Sequence, residues 1–141
     1  MAILLEQVFP VEAGAYATAG EASTTIKRKL KQLGIDANVL RRVSVASYEV
    51  ELNLVIHSMG GTLTMQVDPE MVTLISRDVG PGIPDISMAM KEGYSTASEE
   101  IRMMGFGAGM GLPNMQRNCD RFDIQSRMGE GTVISMEFKL Q

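Results

Sequence analysis

Tryptophan is absent from this sequence, and cysteine and histidine occur once each, at Cys119 and His57. A lone cysteine makes neither an internal disulfide nor a cysteine-rich metal site, which points to a reducing compartment and a cytoplasmic protein. A lone histidine leaves little room for a zinc centre or a histidine-based triad. Basic residues are also short: 13 against 17 acidic ones, a net charge of −4. That balance argues against direct nucleic-acid binding driven by phosphate neutralisation. No apolar run approaches the ~18 residues of a spanning helix, and the first ten residues lack the charged-then-apolar pattern of a signal peptide. Neither a membrane nor an export route is expected.

What remains is 141 residues, 45% hydrophobic and 21% charged, the length and composition of a single globular domain, 1–141. Methionine reaches 12, so thioethers and branched aliphatics fill the expected core. Glycine reaches 14, and eight of these fall in three clusters: Gly80 and Gly82; Gly105, Gly107, Gly109 and Gly111; Gly129 and Gly131. Clustered glycine marks backbone that bends sharply or approaches something closely.

The apolar pattern predicts a strand over Ile3–Val11, then a helix from Ala15 to Leu33 with Ile26, Leu30 and Leu33 on one face and Gly34 as its stop. The KRKLK stretch, Lys27–Lys31, suits the end of that helix and reads as a solvated face, with a partner-binding patch as the alternative. A second helix is predicted over Asn38–Ser58, capped near Asp36 or Asn38, with a stripe of Val39, Val43, Ala46, Val50 and Leu54. Two strands follow, Leu63–Val67 and Val72–Arg77, joined by Asp68-Pro69-Glu70. Pro81–Met104 lacks clear periodicity and is too long for an ordinary connection, which suggests a functional loop. A third helix starts near Pro113 and reaches Cys119, and two strands close the chain, Phe122–Ser126 and Thr132–Leu140. The expected fold is α+β: a two-layer α/β sandwich, its mixed, mostly antiparallel sheet covered by helices on one face.

Four places break the local pattern. Asn53 lies within the apolar stripe of the second helix with Glu49 one turn before it on the flank, so a carboxylate and an amide point toward an apolar layer. They form either a functional site or a buried hydrogen-bonded pair. Asp78-Val79-Gly80-Pro81-Gly82 follows a strand directly. It is either a tight turn or a carboxylate placed to accept from an exocyclic amine such as that of adenine, with glycines that admit a planar base. Gly105-Phe106-Gly107-Ala108-Gly109-Met110-Gly111-Leu112 runs into a helix, as a hinge or as an anion site built from free N–H groups and the positive helix end. It matches neither the Walker nor the dinucleotide-binding fingerprint. Gly129-Glu130-Gly131-Thr132, taken alone, is a hairpin turn.

In order, Glu49-x-x-x-Asn53, Asp78-x-Gly80-x-Gly82, G-x-G-x-G-x-G-L and G-x-G-T resemble the N, G1, G2 and G3 boxes of the GHKL (Bergerat-fold) ATPase superfamily. The resemblance covers about Glu49 to Thr132. It implies ATP and Mg²⁺ as cofactors, with Asn53 as a Mg²⁺ ligand and Glu49 as the general base or orienting group. It implies Asp78 on the adenine amine with Thr132 nearby, and Gly107, Gly109 and Gly111 under the phosphates. Gly80, Gly82, Gly105 and Leu112 complete the implied nucleotide-binding set, and 84–104 is the implied ATP lid.

A free-standing module of this length resembles the bacterial anti-sigma-factor and switch-protein serine/threonine kinases. Gly111-Leu112-Pro113-Asn114 and Glu92-Gly93-Tyr94-Ser95-Thr96 resemble that group as well. The resemblance implies phosphorylation of a small STAS-type antagonist protein, and is compatible with a sigma factor as a further partner and with a homodimer. Lys91 or Arg102 stands where a lid cation would reach the γ-phosphate, or is simply solvated. His57 reads as a packing residue and Cys119 as a small buried one. Three readings stay open: a protein kinase; a nucleotide-dependent protein that sequesters a sigma factor or activates a partner without significant turnover; and a degenerate module. The last fits least, since no box lacks a key residue.

Overall fold

The computed structural model describes residues 3–80, 82–83, 86–91 and 111–140. The chain opens with strand β1 (Leu5–Val11) and a turn of 3-10 helix (Tyr16–Thr18). Helices α1 (Glu21–Gln32) and α2 (Ala37–His57) come next. Strands β2 (Gly61–Val67) and β3 (Met71–Asp78), the short helix α3 (Ile86–Ala89) and helix α4 (Gly111–Asn118) follow. Strands β4 (Arg121–Arg127) and β5 (Gly131–Lys139) end the chain. The five strands form one sheet in the order β1-β2-β3-β5-β4, and every described pair is antiparallel. The expected α+β sandwich is observed.

The core lies where the strand and helix periods agree. Met65, Leu74 and Met136 stand opposite one another across β2, β3 and β5 and are fully buried. Val43, Ala46 and Val50, one face of α2, belong to the same buried cluster. Along β5, Ile134, Met136 and Phe138 are buried while Val133 and Lys139 are exposed, the alternation of a sheet covered on one side. α2 is the central helix, packed against both α1 and α4. Each fully buried Leu or Met contributes about 1.5–3 kcal/mol. Among the described residues, no helix is long and apolar enough to cross a membrane.

The first helix departs from expectation. It begins at Glu21, not Ala15, and the intervening residues include the 3-10 turn. The reason is long-range. Gly20 takes φ +103°, and the buried carboxylate of Glu51 on α2 accepts the N–H groups of Gly20, Ala22 and Ser23 at 3.1, 3.1 and 3.0 Å. A helix start fixed by a side chain 28 to 31 residues away leaves no local cap to read. Its end was legible: Gly34 (φ +77°) donates to Lys31 O and Ile35 to Leu30 O, the two bonds of a Schellman stop. Leu33 is half-exposed and lies outside the buried stripe of Ile26 and Leu30. Asp36 caps α2 by accepting from the N–H of Asn38 at 3.0 Å. Within the expected loop 81–104, the four-residue helix α3 is an element that weak periodicity concealed.

Candidate functional site

Two candidate clusters lie on α2 and at one end of the sheet, the second set by the strand registers. At that end Gly61 stands opposite Asp78 and Gly131 opposite Arg127, so the β3 terminus and the β4–β5 turn share one edge. Asp78 closes β3, and its Oδ1 accepts the N–H of Gly80 and of Thr132, both at 2.9 Å. These bonds fix the carboxylate plane and use one oxygen. Among the described residues Oδ2 has no hydrogen bond, which leaves an oriented acceptor of the kind an exocyclic amine needs.

Glycine is required here for approach, not only for turning. A Cβ on Gly131, already at φ +123°, would collide with the Asp78 carbonyl, and one on Gly82 would come within 2.7 Å of Arg127 O. Gly80 takes φ +128°, with nothing within 4 Å of a would-be Cβ. Behind this cradle, Ser126 Oγ lies 2.9 Å from the hydroxyl of buried Thr132 and accepts the N–H of Ile83 at 2.7 Å. Ser126 and Ile83 carried no pattern that sequence reasoning singled out.

Glu49 and Asn53 converge on the start of α4. A Cβ on Gly111 would lie 3.4 Å from Glu49 Oε2 and 3.9 Å from Asn53 Oδ1. Both side chains are half-buried, so the pair borders the apolar layer instead of lying inside it. Burial pushes the Glu49 carboxyl above the usual carboxylate range, and a side-chain hydrogen bond from Asn114 partly offsets it. A carboxylate shifted this way titrates closer to neutrality, which suits proton acceptance. Asn114 was quoted only as part of the run into the helix; its placement one helical turn after Gly111 was the available signal for a role beside Glu49.

Among the described residues no group of three or more His, Cys, Asp or Glu could hold a metal. A divalent cation here would rest on the Asn53 amide oxygen plus oxygens from ligand and water, a donor set that suits hard, largely hydrated Mg²⁺. Helix α4 is described from Gly111, and the backbone N–H groups of a helix's first turn complement an anion. The Leu112 side chain itself is buried in the core, so its part in the site is that backbone. Gly105, Gly107, Gly109, Pro81, Arg102, residues 92–96 and most of the expected lid lie outside the described residues, as does the side chain of His57. Lys91 is exposed. Cys119 is half-buried against the core, not fully buried, and burial pushes its thiol up, away from the thiolate form.

Known proteins resemble this chain over most of its length. The histidine kinase-, DNA gyrase B- and HSP90-like ATPase family matches residues 24–141. The serine/threonine-protein kinase RsbT of Bacillus subtilis (strain 168) is 32% identical over 108 residues, covering 74% of this chain and 75% of that one. An anti-sigma F factor of Thermoanaerobacter sp. (strain X514) is 30% identical over 120 residues, 82% of this chain and 80% of the relative. Among solved structures, the SiaB–SiaC complex of Pseudomonas aeruginosa contains a chain that superposes with TM-score 0.57 at 13% identity, covering 97% of this chain and 90% of that one, a likeness of fold. With the family match spanning residues 24–141, well over half of the sequence, the chain belongs to the histidine kinase-, DNA gyrase B- and HSP90-like ATPase family.

Proposed function

We propose that this protein is an ATP-dependent serine/threonine kinase, a cytoplasmic regulator that phosphorylates a small STAS-type antagonist. The observation that carries the reading is the pairing of two oxygen sets: Asp78, oriented through Oδ1, and Glu49 with Asn53 at the start of α4. Asp78 Oδ2 holds the adenine amine. The α4 N-terminus holds phosphate oxygens, joined by the glycines at 105, 107 and 109. Asn53 holds Mg²⁺, which when bound neutralises phosphate charge. The acceptor hydroxyl oxygen bonds to the γ-phosphorus as that atom's bond to ADP breaks; Glu49 takes or orients the departing hydroxyl proton. The name of the Bacillus subtilis relative supports this reading.

A second reading rests on the anti-sigma F factors at about 30% identity: a nucleotide-dependent protein that sequesters a sigma factor with little turnover. Titration calorimetry with ATP and Mg²⁺, on the wild type and on Asp78→Asn, tests the pocket. Binding that weakens at least tenfold in the variant supports it, and no wild-type binding sinks it. Glu49→Ala separates the two readings. Loss of phosphate transfer to an antagonist, with ATP binding kept, favours the kinase; partner capture by a protein that never transfers phosphate favours sequestration.

A further inference from the structure

Arg42, Glu49 and Asn53 stand seven and four residues apart on α2, within about 20° of one line along its flank. Gly111, Asn114 and Asn118, three and four residues apart, share one face of α4. The two helices meet along an antiparallel seam. Asn53 and Glu49 lie at the start of α4, Glu49 meets Asn114, and Arg42 holds the far end.

Arg42 Nε donates to Asn118 O, the last carbonyl of α4, at 3.1 Å, and Nη2 donates to Asp120 Oδ2 at 2.7 Å. Its side chain is only 21% exposed, which sets it apart from freely solvated surface pairs. Asp120 Oδ2 also accepts the N–H of Lys139 at 2.7 Å, and the Asp120 N–H donates to Glu137 O at 2.8 Å. One guanidinium thus joins α2, the C-terminal end of α4 and strand β5, and a cation at that end complements the helix dipole.

Helix α4 needs such a tie. Eight residues do not hold a helix unaided. Leu112, Pro113 and Met115 are buried, but apolar contact is non-directional: it presses α4 onto the core without fixing how far it slides along α2. A planar fork with two partners at set distances does fix it. Asn118 passes the constraint up the helix, since its Nδ2 donates to Asn114 O at 2.7 Å. A slide by one residue's rise, about 1.5 Å, would take Asn114 out of hydrogen-bonding reach of Glu49.

We propose that Arg42 is a positioning residue: its fork sets the height of α4 along α2 and so holds Asn114 against Glu49, two helical turns away. That Glu49 then serves phosphate transfer is the reading above, on which the functional part of this inference rests; the contact itself does not depend on it.

Carboxyl NMR of the full chain, with the Glu49 signal assigned through Glu49→Gln, tests the contact directly. The Glu49 carboxyl answers to burial and to the Asn114 hydrogen bond. The charged groups around it are Arg42 on α2, Arg117 on α4, which donates to Asn114 Oδ1 at 3.4 Å, and Glu51, turned away to the start of α1; the sheet beneath α2 presents Met65, Leu74 and Met136. Arg42→Ala is expected to raise the titration midpoint of Glu49, as Asn114→Ala does, and to add nothing in the Asn114→Ala background. A midpoint that stays in place overturns the proposal, and so does a shift that persists in that background, the mark of a lost positive charge acting through space. A merely structural role lowers stability and leaves the midpoint of the folded protein where it was. In Arg42→Ala, hydrolysis of ATP with Mg²⁺, water standing in for the acceptor hydroxyl, is expected to fall about tenfold with ATP affinity within about twofold. Hydrolysis at the wild-type rate overturns the link to transfer. Wild type that binds no ATP removes the kinase reading, while the titration still decides the role of Arg42. If Arg42→Ala does not fold, Arg42→Lys, which keeps the charge without the fork, carries the same comparison with the same outcomes.

Discussion

Asn114, in the second turn of α4, hydrogen-bonds the Glu49 carboxylate of α2 and opposes the effect of burial on it. Its own amide is oriented by Arg117, whose Nη1 donates to Asn114 Oδ1 at 3.4 Å, so the Asn114 NH₂ is the end that faces Glu49. Removing the amide leaves desolvation unopposed. Asn114→Ala is therefore expected to move the acid limb of phosphate transfer to higher pH, with ATP affinity within about twofold of wild type. A pH–rate profile of transfer checks this; a limb that stays in place rules out the role for Asn114.

The same shift has a consequence for stability. A carboxyl whose folded pKa is raised binds its proton more tightly in the native state than in the unfolded chain. Its ionisation therefore costs stability, which is lost as pH climbs from the unfolded value through the folded one. Glu49→Gln removes that cost while keeping the shape of the side chain. The variant is expected to melt higher than wild type at neutral pH, the difference vanishing at acid pH where both side chains are neutral, while transfer falls by at least a hundredfold. Thermal melts across pH, paired with the transfer assay, decide it. An equal or lower Tm at neutral pH contradicts the sign.

The parts of this site legible in sequence were those whose partners are close in the chain. Asp78 with Gly80 is a contact across two residues. Glu49 and Asn53 are one helical turn apart on α2, and the Schellman stop at Gly34 is local. The parts that were not legible are joined by folding. Ser126 reaches back 43 residues to Ile83, and Asn114 meets Glu49 only because α4 packs on α2. A serine in a strand carries no periodic signal of such a role, and the helical spacing of Asn114 from Gly111 signals one only once α4 is known to pack on α2. The early helix start at Ala15 failed for the same reason: apolar spacing described the buried face of α1 correctly at Ile26 and Leu30, while the true start was set by Glu51 from the neighbouring helix.

That cap is the next testable element. Glu51 is buried, and its two oxygens take three backbone N–H groups at the positive end of α1. Glu51→Ala leaves those donors without partners inside the helical layer, at a cost of about 2–4 kcal/mol by analogy with lost caps and unsatisfied buried donors. Glu51→Gln keeps an acceptor but loses the charge and is expected to fall between. Because Glu51 lies behind the site and not in it, ATP affinity of the folded protein is expected to stay within about threefold of wild type at low temperature. Urea unfolding with calorimetry separates the two effects. A variant as stable as wild type would show that solvent or another group replaces the cap.

Gly131 and Gly129 offer an internal control, because both have positive φ and they differ in surroundings. At Gly129, φ is +81° and nothing lies within 4 Å of an added Cβ, so Gly129→Ala incurs only the left-handed backbone penalty, about 1–2 kcal/mol. At Gly131, φ is +123° and the added carbon would press on the Asp78 carbonyl, on Asp78 Oδ1 at 2.8 Å and on Gly80 N at 2.9 Å. Those are the atoms that orient the carboxylate. The Cβ cannot be accommodated without moving β3 away from β5 or turning Asp78 out of the hydrogen bonds it makes to Gly80 and Thr132. Gly131→Ala is accordingly expected to lower Tm more than Gly129→Ala and to weaken ATP binding by more than tenfold, whereas Gly129→Ala leaves affinity unchanged. Thermal melts and ATP titrations of both variants decide the matter. If Gly131→Ala loses stability yet binds ATP like wild type, the pinned geometry of Asp78 is not what holds the base.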